Sequence, residues 1–237
     1  MSAVDGWQGL SPLATLFVLL VGFVLPVLAW RSRRHFAEDA PGPPPSRRAF
    51  YVSAFFTQIM ALGLALLVAR EIELDVLGPF RVEPLAWLAT AAVMGALLAT
   101  LPARWRSRSA ASRRRQAVMV PRTPLQSVAN VALCLLAGIG EELTFRGVLH
   151  ACLWWMTGSW WLATVLCSVA FGVAHAVQGP RSMLIVAGVA FWMHVTVLWT
   201  GSLHLAMFVH AVYDLITTFT IARWVRRDET EQPAAQA

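Results

Sequence analysis

The sequence predicts an all-α fold, a polytopic transmembrane helical bundle of about seven spans around a polar cavity inside the membrane. Three observations predict it. The 237 residues are 57% hydrophobic and only 14% charged, with a mean hydropathy of +0.60, where a soluble domain carries about 25% charged residues. Apolar runs near bilayer-spanning length alternate with short connectors. All 19 basic residues are Arg, and they gather in those connectors, where the topology of a membrane protein puts positive charge. The net charge of +6 is therefore a topological signal, and no nucleic-acid partner is expected.

The first span runs from about Leu10 to Trp30 and stops at Arg31, Arg33 and Arg34. No basic stretch precedes it and no clear cleavage site follows, so it reads as a retained span rather than a signal peptide. A proline-rich basic connector (Pro41, Pro43, Pro44, Pro45, Arg47, Arg48) leads to a second span over about 49–69. The next connector is acidic, with Glu71, Glu73, Asp75 and Glu83, and a third span covers about 85–101. The most basic loop follows, from Arg104 to Arg122. Four more segments lie near 127–155, 160–177, 183–199 and 203–221, closed by Arg223, Arg226 and Arg227. Positive charge inside puts the N-terminus outside and the C-terminus in the cytoplasm. Trp154, Trp155, Trp160, Trp161 and Trp199 are expected at the outer interface, where amphipathic rings settle. The fourth segment is too long for a bilayer core of about 30 Å at 1.5 Å per residue, so it must tilt, protrude or break, with Gly138, Gly140 and Gly147 as candidate breaks. The length suits one integral membrane domain over 1–237, with a polar, disordered tail from Asp228.

Cys134, Cys152 and Cys167 lie in apolar segments without CxxC spacing, and read as small buried hydrophobes. Glu141, Glu142, Arg146, His175, His210 and Asp214 also lie in apolar segments. An ionisable group at the bilayer centre costs on the order of 2.5–3.5 kcal/mol on insertion scales, so six together ask for a use. Glu142 and Arg146, and again His210 and Asp214, stand four residues apart and share a helix face. A buried ion pair and a packing clasp would account for those pairs separately. They would not account for the adjacent carboxylate of Glu141. Asn130, His150, His194 and His204 read as structural or interfacial.

In these residues the sequence resembles the CAAX protease and bacteriocin-processing family, the type II CAAX prenyl endopeptidases and their bacterial relatives. The family's EExxxR stands here as Glu141, Glu142, Leu143, Thr144, Phe145, Arg146; its FxxxH as Phe171 to His175; its HxxxN or HxxxD as His210 to Asp214. Thr200, Gly201, Ser202 and Leu203 resemble the family's turn into the last motif. The resemblance covers about 125–221, the expected catalytic core.

The resemblance implies an intramembrane endopeptidase that hydrolyses membrane-anchored or lipidated protein substrates with a glutamate-activated water. Glu141 would be the base and His175 would share or orient the water. His210 would face the oxyanion, and Glu142 with Arg146 would support Glu141 from behind. Asp214 stands where the family also uses Asn, whose amide can donate whereas an ionised Asp only accepts. Asp214 must then be protonated, orient His210, or bind a metal. The family picture favours no cofactor; were zinc present, Glu141, His175, His210 and Asp214 would be its ligands. Membrane lipids and the anchored substrate are the expected partners, and Arg-only usage points to a bacterial plasma membrane. Intramembrane carboxylates and histidines also form proton relays, so an ion-coupled transporter is the main alternative, and an inactive scaffold a further one.

Overall fold

In the computed structural model, which describes residues 9–36 and 46–234, the chain is a bundle of helices, with no strand among the described residues. The prolines of the first basic connector lie outside the described residues. The helices are α1 (Pro12–Ser32), α2 (Arg47–Glu71), α3 (Pro84–Arg106), α4 (Ala110–Met119), α5 (Pro124–Thr157), α6 (Trp160–Ala174), α7 (Pro180–Thr200) and α8 (His204–Ala234).

Their starts follow from local chemistry. Ser11, Ser46, Ser109, Thr123 and Ser159 each place a side-chain oxygen on a backbone N–H of the first turn of α1, α2, α4, α5 and α6, satisfying a donor that the helix leaves free. Proline occupies the first turn of α1, α3, α5 and α7, where its missing N–H costs nothing. Gly158 (φ 64°) and Gly201 (φ 63°) end α5 and α7 in the left-handed conformation that glycine adopts without steric penalty.

Six helices are long and apolar enough to cross a bilayer. Seven were expected; α6 has only 15 residues, about 22 Å at the helical rise and short of a bilayer core. Its apolar character and its place against α1 and α7 are nonetheless those of a bundle helix. Phe23, Phe56, Leu88 and Leu184 are largely exposed, an apolar exterior suited to lipid. The length of α5 is resolved without a break. Residues Glu142–Leu149 widen into a π-helical stretch inside a continuous helix, so none of the three candidate glycines interrupts it. Gly138 instead lets α8 approach, since a Cβ there would stand 2.7 Å from that of Ala211.

The last helix also departs from expectation, because residues 228–234 continue α8 rather than forming a disordered tail. Asp228 lies 3.7 Å from Arg113 and Glu229 pairs with Arg122. These contacts bring the polar turns of α8 against α4 and the start of α5. At the opposite end, the acidic connector folds back on the bundle: the N–H of Leu203 donates to the carbonyl of Leu77 at 3.0 Å. Packing puts α5 between α2 and α8, with α6 and α7 beside it, so the motif-bearing helices enclose a common interior.

Candidate active site

The site starts at the point where α5 changes pitch. Successive residues on a helix point about 100° apart, so the two adjacent carboxylates lie at different depths. The Glu142 side chain is fully buried and that of Glu141 is 16% exposed. A π-helical turn holds an extra residue and is frequent at functional sites. Here it begins at Glu142 and carries Glu142 and Arg146 inward together.

Arg146 places Nη1 3.3 Å from Oε1 of Glu142, with both side chains essentially inaccessible. Its guanidinium lies 4.3 Å from the centre of the Phe171 ring, a cation–π contact supplied by α6. The same Glu142 oxygen accepts from Nδ1 of His210 on α8 at 2.7 Å. Glu142 and Arg146 together therefore tie α5 to α8 and α6. A carboxylate this deep is tolerable only with charge and hydrogen bonds around it.

On the accessible side, Nε2 of His210 lies 3.8 Å from Oε2 of Glu141 and 3.6 Å from Oδ2 of Asp214. Both distances exceed a hydrogen bond, and a small oxygen could stand at about 2.8 Å from both atoms of either pair. Exposure rises outward from Glu142 through His210 (14%) and Glu141 (16%) to Asp214 (34%). The geometry thus divides the imidazole: Nδ1 is fixed from behind, and Nε2 faces an opening flanked by two carboxylates.

His175 stands at the end of α6, where Nδ1 lies 2.8 Å from the carbonyl of Phe171. A donated Nδ1–H would leave Nε2 as the free acceptor. The structure shows no direct bond from His175 to Glu141 or His210. Phe171 is the shared neighbour, its ring centre 4.6 Å from that of His175, 6.3 Å from that of His210 and 4.9 Å from that of Phe145. Among the described residues no three His, Cys, Asp or Glu side chains converge as metal ligands.

Two features escape sequence reasoning. Gln58 of α2 donates its amide Nε2 to Oε1 of Glu141. An amide within an apolar span was the available signal, but attention to ionisable groups alone passes over it. The second is the acceptor role of Glu142 towards His210, which needs the packing of α5 on α8. Of the residues read as structural, Asn130 is buried between Tyr51 and Cys134 at 3.5 Å from each. The rings of His150 and His194 meet at 4.9 Å, tilted by 35°, elsewhere in the bundle. Cys134, Cys152 and Cys167 are free and buried.

Residues 123–216 match the family model described as "Rce1-like: Type II CAAX prenyl endopeptidase Rce1-like". The match contains all three motifs, and the resemblance read from them is shown over that segment, which is less than half of the chain. No curated protein and no solved structure matches.

Proposed function

From a multi-pass helical chain whose residues 123–216 carry the type II CAAX prenyl endopeptidase match, we propose an intramembrane endopeptidase that cuts membrane-anchored or lipidated protein substrates. The observation that carries this reading is the division of His210, with Nδ1 held by Glu142 at 2.7 Å and Nε2 set between Glu141 and Asp214 at 3.8 and 3.6 Å. Peptide hydrolysis needs a base, a positioned water and a donor for the oxyanion, and the opening offers a group for each.

In this mechanism a water held against Oε2 of Glu141 gives its proton to that carboxylate as its oxygen attacks the scissile carbonyl carbon. His210, doubly protonated among three carboxylates, keeps one N–H on Glu142 and directs the other at the developing oxyanion. Collapse of the tetrahedral intermediate breaks the C–N bond, and Glu141 returns its proton to the leaving amine. Glu142 and Arg146 position His210 rather than touching substrate. His175, with Nδ1 on the carbonyl of Phe171, offers Nε2 to the attacking water. No step passes through a metal. A relay for ion transport would also use carboxylates and histidines, but the polar groups here converge on one opening, and the segment containing them matches a peptidase family.

The test is a comparison of membrane-protein termini between cells carrying the wild-type chain and Glu141→Ala. Termini present with the first and absent with the second are expected, and loss of a general base should slow their formation about 10²–10⁴-fold. Identical termini in the two strains would remove Glu141 from the reaction.

A further inference from the structure

Glu141 has two oxygens, and only one of them faces His210. Oε2 is the atom 3.8 Å from Nε2 of His210; Oε1 is the acceptor of the Gln58 amide. Gln58 lies midway along α2, among Phe55, Phe56, Ile59, Met60 and Leu62. That helix lies outside the segment matched to the peptidase family. An amide in an apolar span must find a polar partner or lose its hydrogen bonding with water unreplaced. Its carbonyl oxygen rests 3.6 Å from where a Cβ would stand on Gly140, so α5 presents bare backbone beside the carboxylate that the amide reaches.

We infer that Gln58 is a positioning residue for the reaction, holding Oε1 of Glu141 so that Oε2 is the oxygen that takes the proton from water. This rests on the base role proposed for Glu141. A hydrogen bond from an amide to a carboxylate is charge-assisted and directional. It stops the carboxylate from rotating about its terminal torsion, which is otherwise broad and two-fold. It also supplies a neutral donor, so Oε1 is held without adding a second cation to the one the mechanism places on His210. The catalytic opening is then completed from α2, and the family segment alone leaves one side of Glu141 unheld.

The experiment uses the full chain in liposomes and a fluorogenic membrane-anchored peptide copied from a terminus that depends on Glu141. Gln58→Leu is expected to lower kcat about 10–100-fold, the scale found when a partner behind a functional group is lost, with KM within about twofold. Gln58→Glu keeps the shape but cannot donate when ionised. It should be at least as slow near neutral pH and recover part of the rate as pH falls and its carboxyl regains a proton. In a Glu141→Ala background, Gln58→Leu should cause no further loss. Thermal unfolding in detergent shows whether either variant is simply unfolded. A wild-type rate for Gln58→Glu, or an effect confined to KM, overturns the inference and leaves the base role intact. Should no terminus depend on Glu141 at all, the base role fails first, and the two failures are told apart.

Discussion

Two buried polar clusters share this bundle, and only one of them has the means to do chemistry. Around His210 stand three carboxylates and an arginine, and the cluster opens outward as far as Asp214, which is 34% exposed. Around His150 and His194 stand hydroxyls and rings: His150 Nε2 lies 3.1 Å from Thr164, and its ring is 5.0 Å from that of Trp160. His150 and His194 are 6% and 2% exposed, so nothing reaches them. A histidine inside a membrane protein is therefore not a site by itself. Neighbouring carboxylates and a route in make the difference, and substitutions in each cluster can break or sharpen that contrast.

The largest effect is expected at Arg146. Arg146→Leu takes the guanidinium from the fully buried Glu142 and leaves it His210 alone; breaking a buried pair typically destabilises by about 3–5 kcal/mol. A clearly lower thermal midpoint should result, with cleavage lost as well. Pairing it with Glu142→Leu removes the stranded charge, so stability should largely return while activity does not, because Nδ1 of His210 then has no acceptor. A double variant that cleaves normally would show the buried pair to be packing alone, and the first cluster would then resemble the second.

Much of this was legible in the sequence, for reasons that also mark where reading stopped. The apolar runs and arginine connectors fixed the helices, because bilayer thickness imposes length and loops carry the charge. Helix periodicity put Glu142 with Arg146 and His210 with Asp214, since residues four apart share a face. Contacts between helices were another matter. That Glu142 serves His210, that Phe171 lies under Arg146, and that Gln58 reaches Glu141 all depend on how α2, α6 and α8 pack on α5. Periodicity within one helix is silent on these. Of the seven expected segments six reach bilayer length, and the seventh, α6, is an apolar helix of 15 residues. The tail erred because Asp228 and Glu229 meet Arg113 and Arg122, partners more than a hundred residues away.

A smaller effect is expected at Asp214. Glu142 already orients the His210 ring through Nδ1 at 2.7 Å, whereas Asp214 lies 3.6 Å from Nε2, too far for an orienting hydrogen bond. An orienting role is thus redundant. Asp214→Asn retains the shape and adds a donor towards the opening, so the cleavage rate should stay within about tenfold of wild type. A loss comparable to that of Glu141→Ala would instead make the charge of Asp214 essential to the imidazolium.

The smallest effect belongs to the second cluster. His194 is 2% exposed and its Nε2 finds no hydrogen-bond partner among the described residues. A buried polar atom left unpaired costs about 1–3 kcal/mol, so an apolar side chain of similar size should fit at no loss. His194→Leu is expected to leave the cleavage rate within about threefold and the thermal midpoint unchanged or slightly raised. The contrast between the clusters fails if this variant folds normally yet loses cleavage as Arg146→Leu does. A link between the clusters would be either electrostatic or a matter of packing. Stability measured alongside activity separates the cases: an electrostatic link slows cleavage without lowering the midpoint, whereas a packing defect lowers the midpoint first.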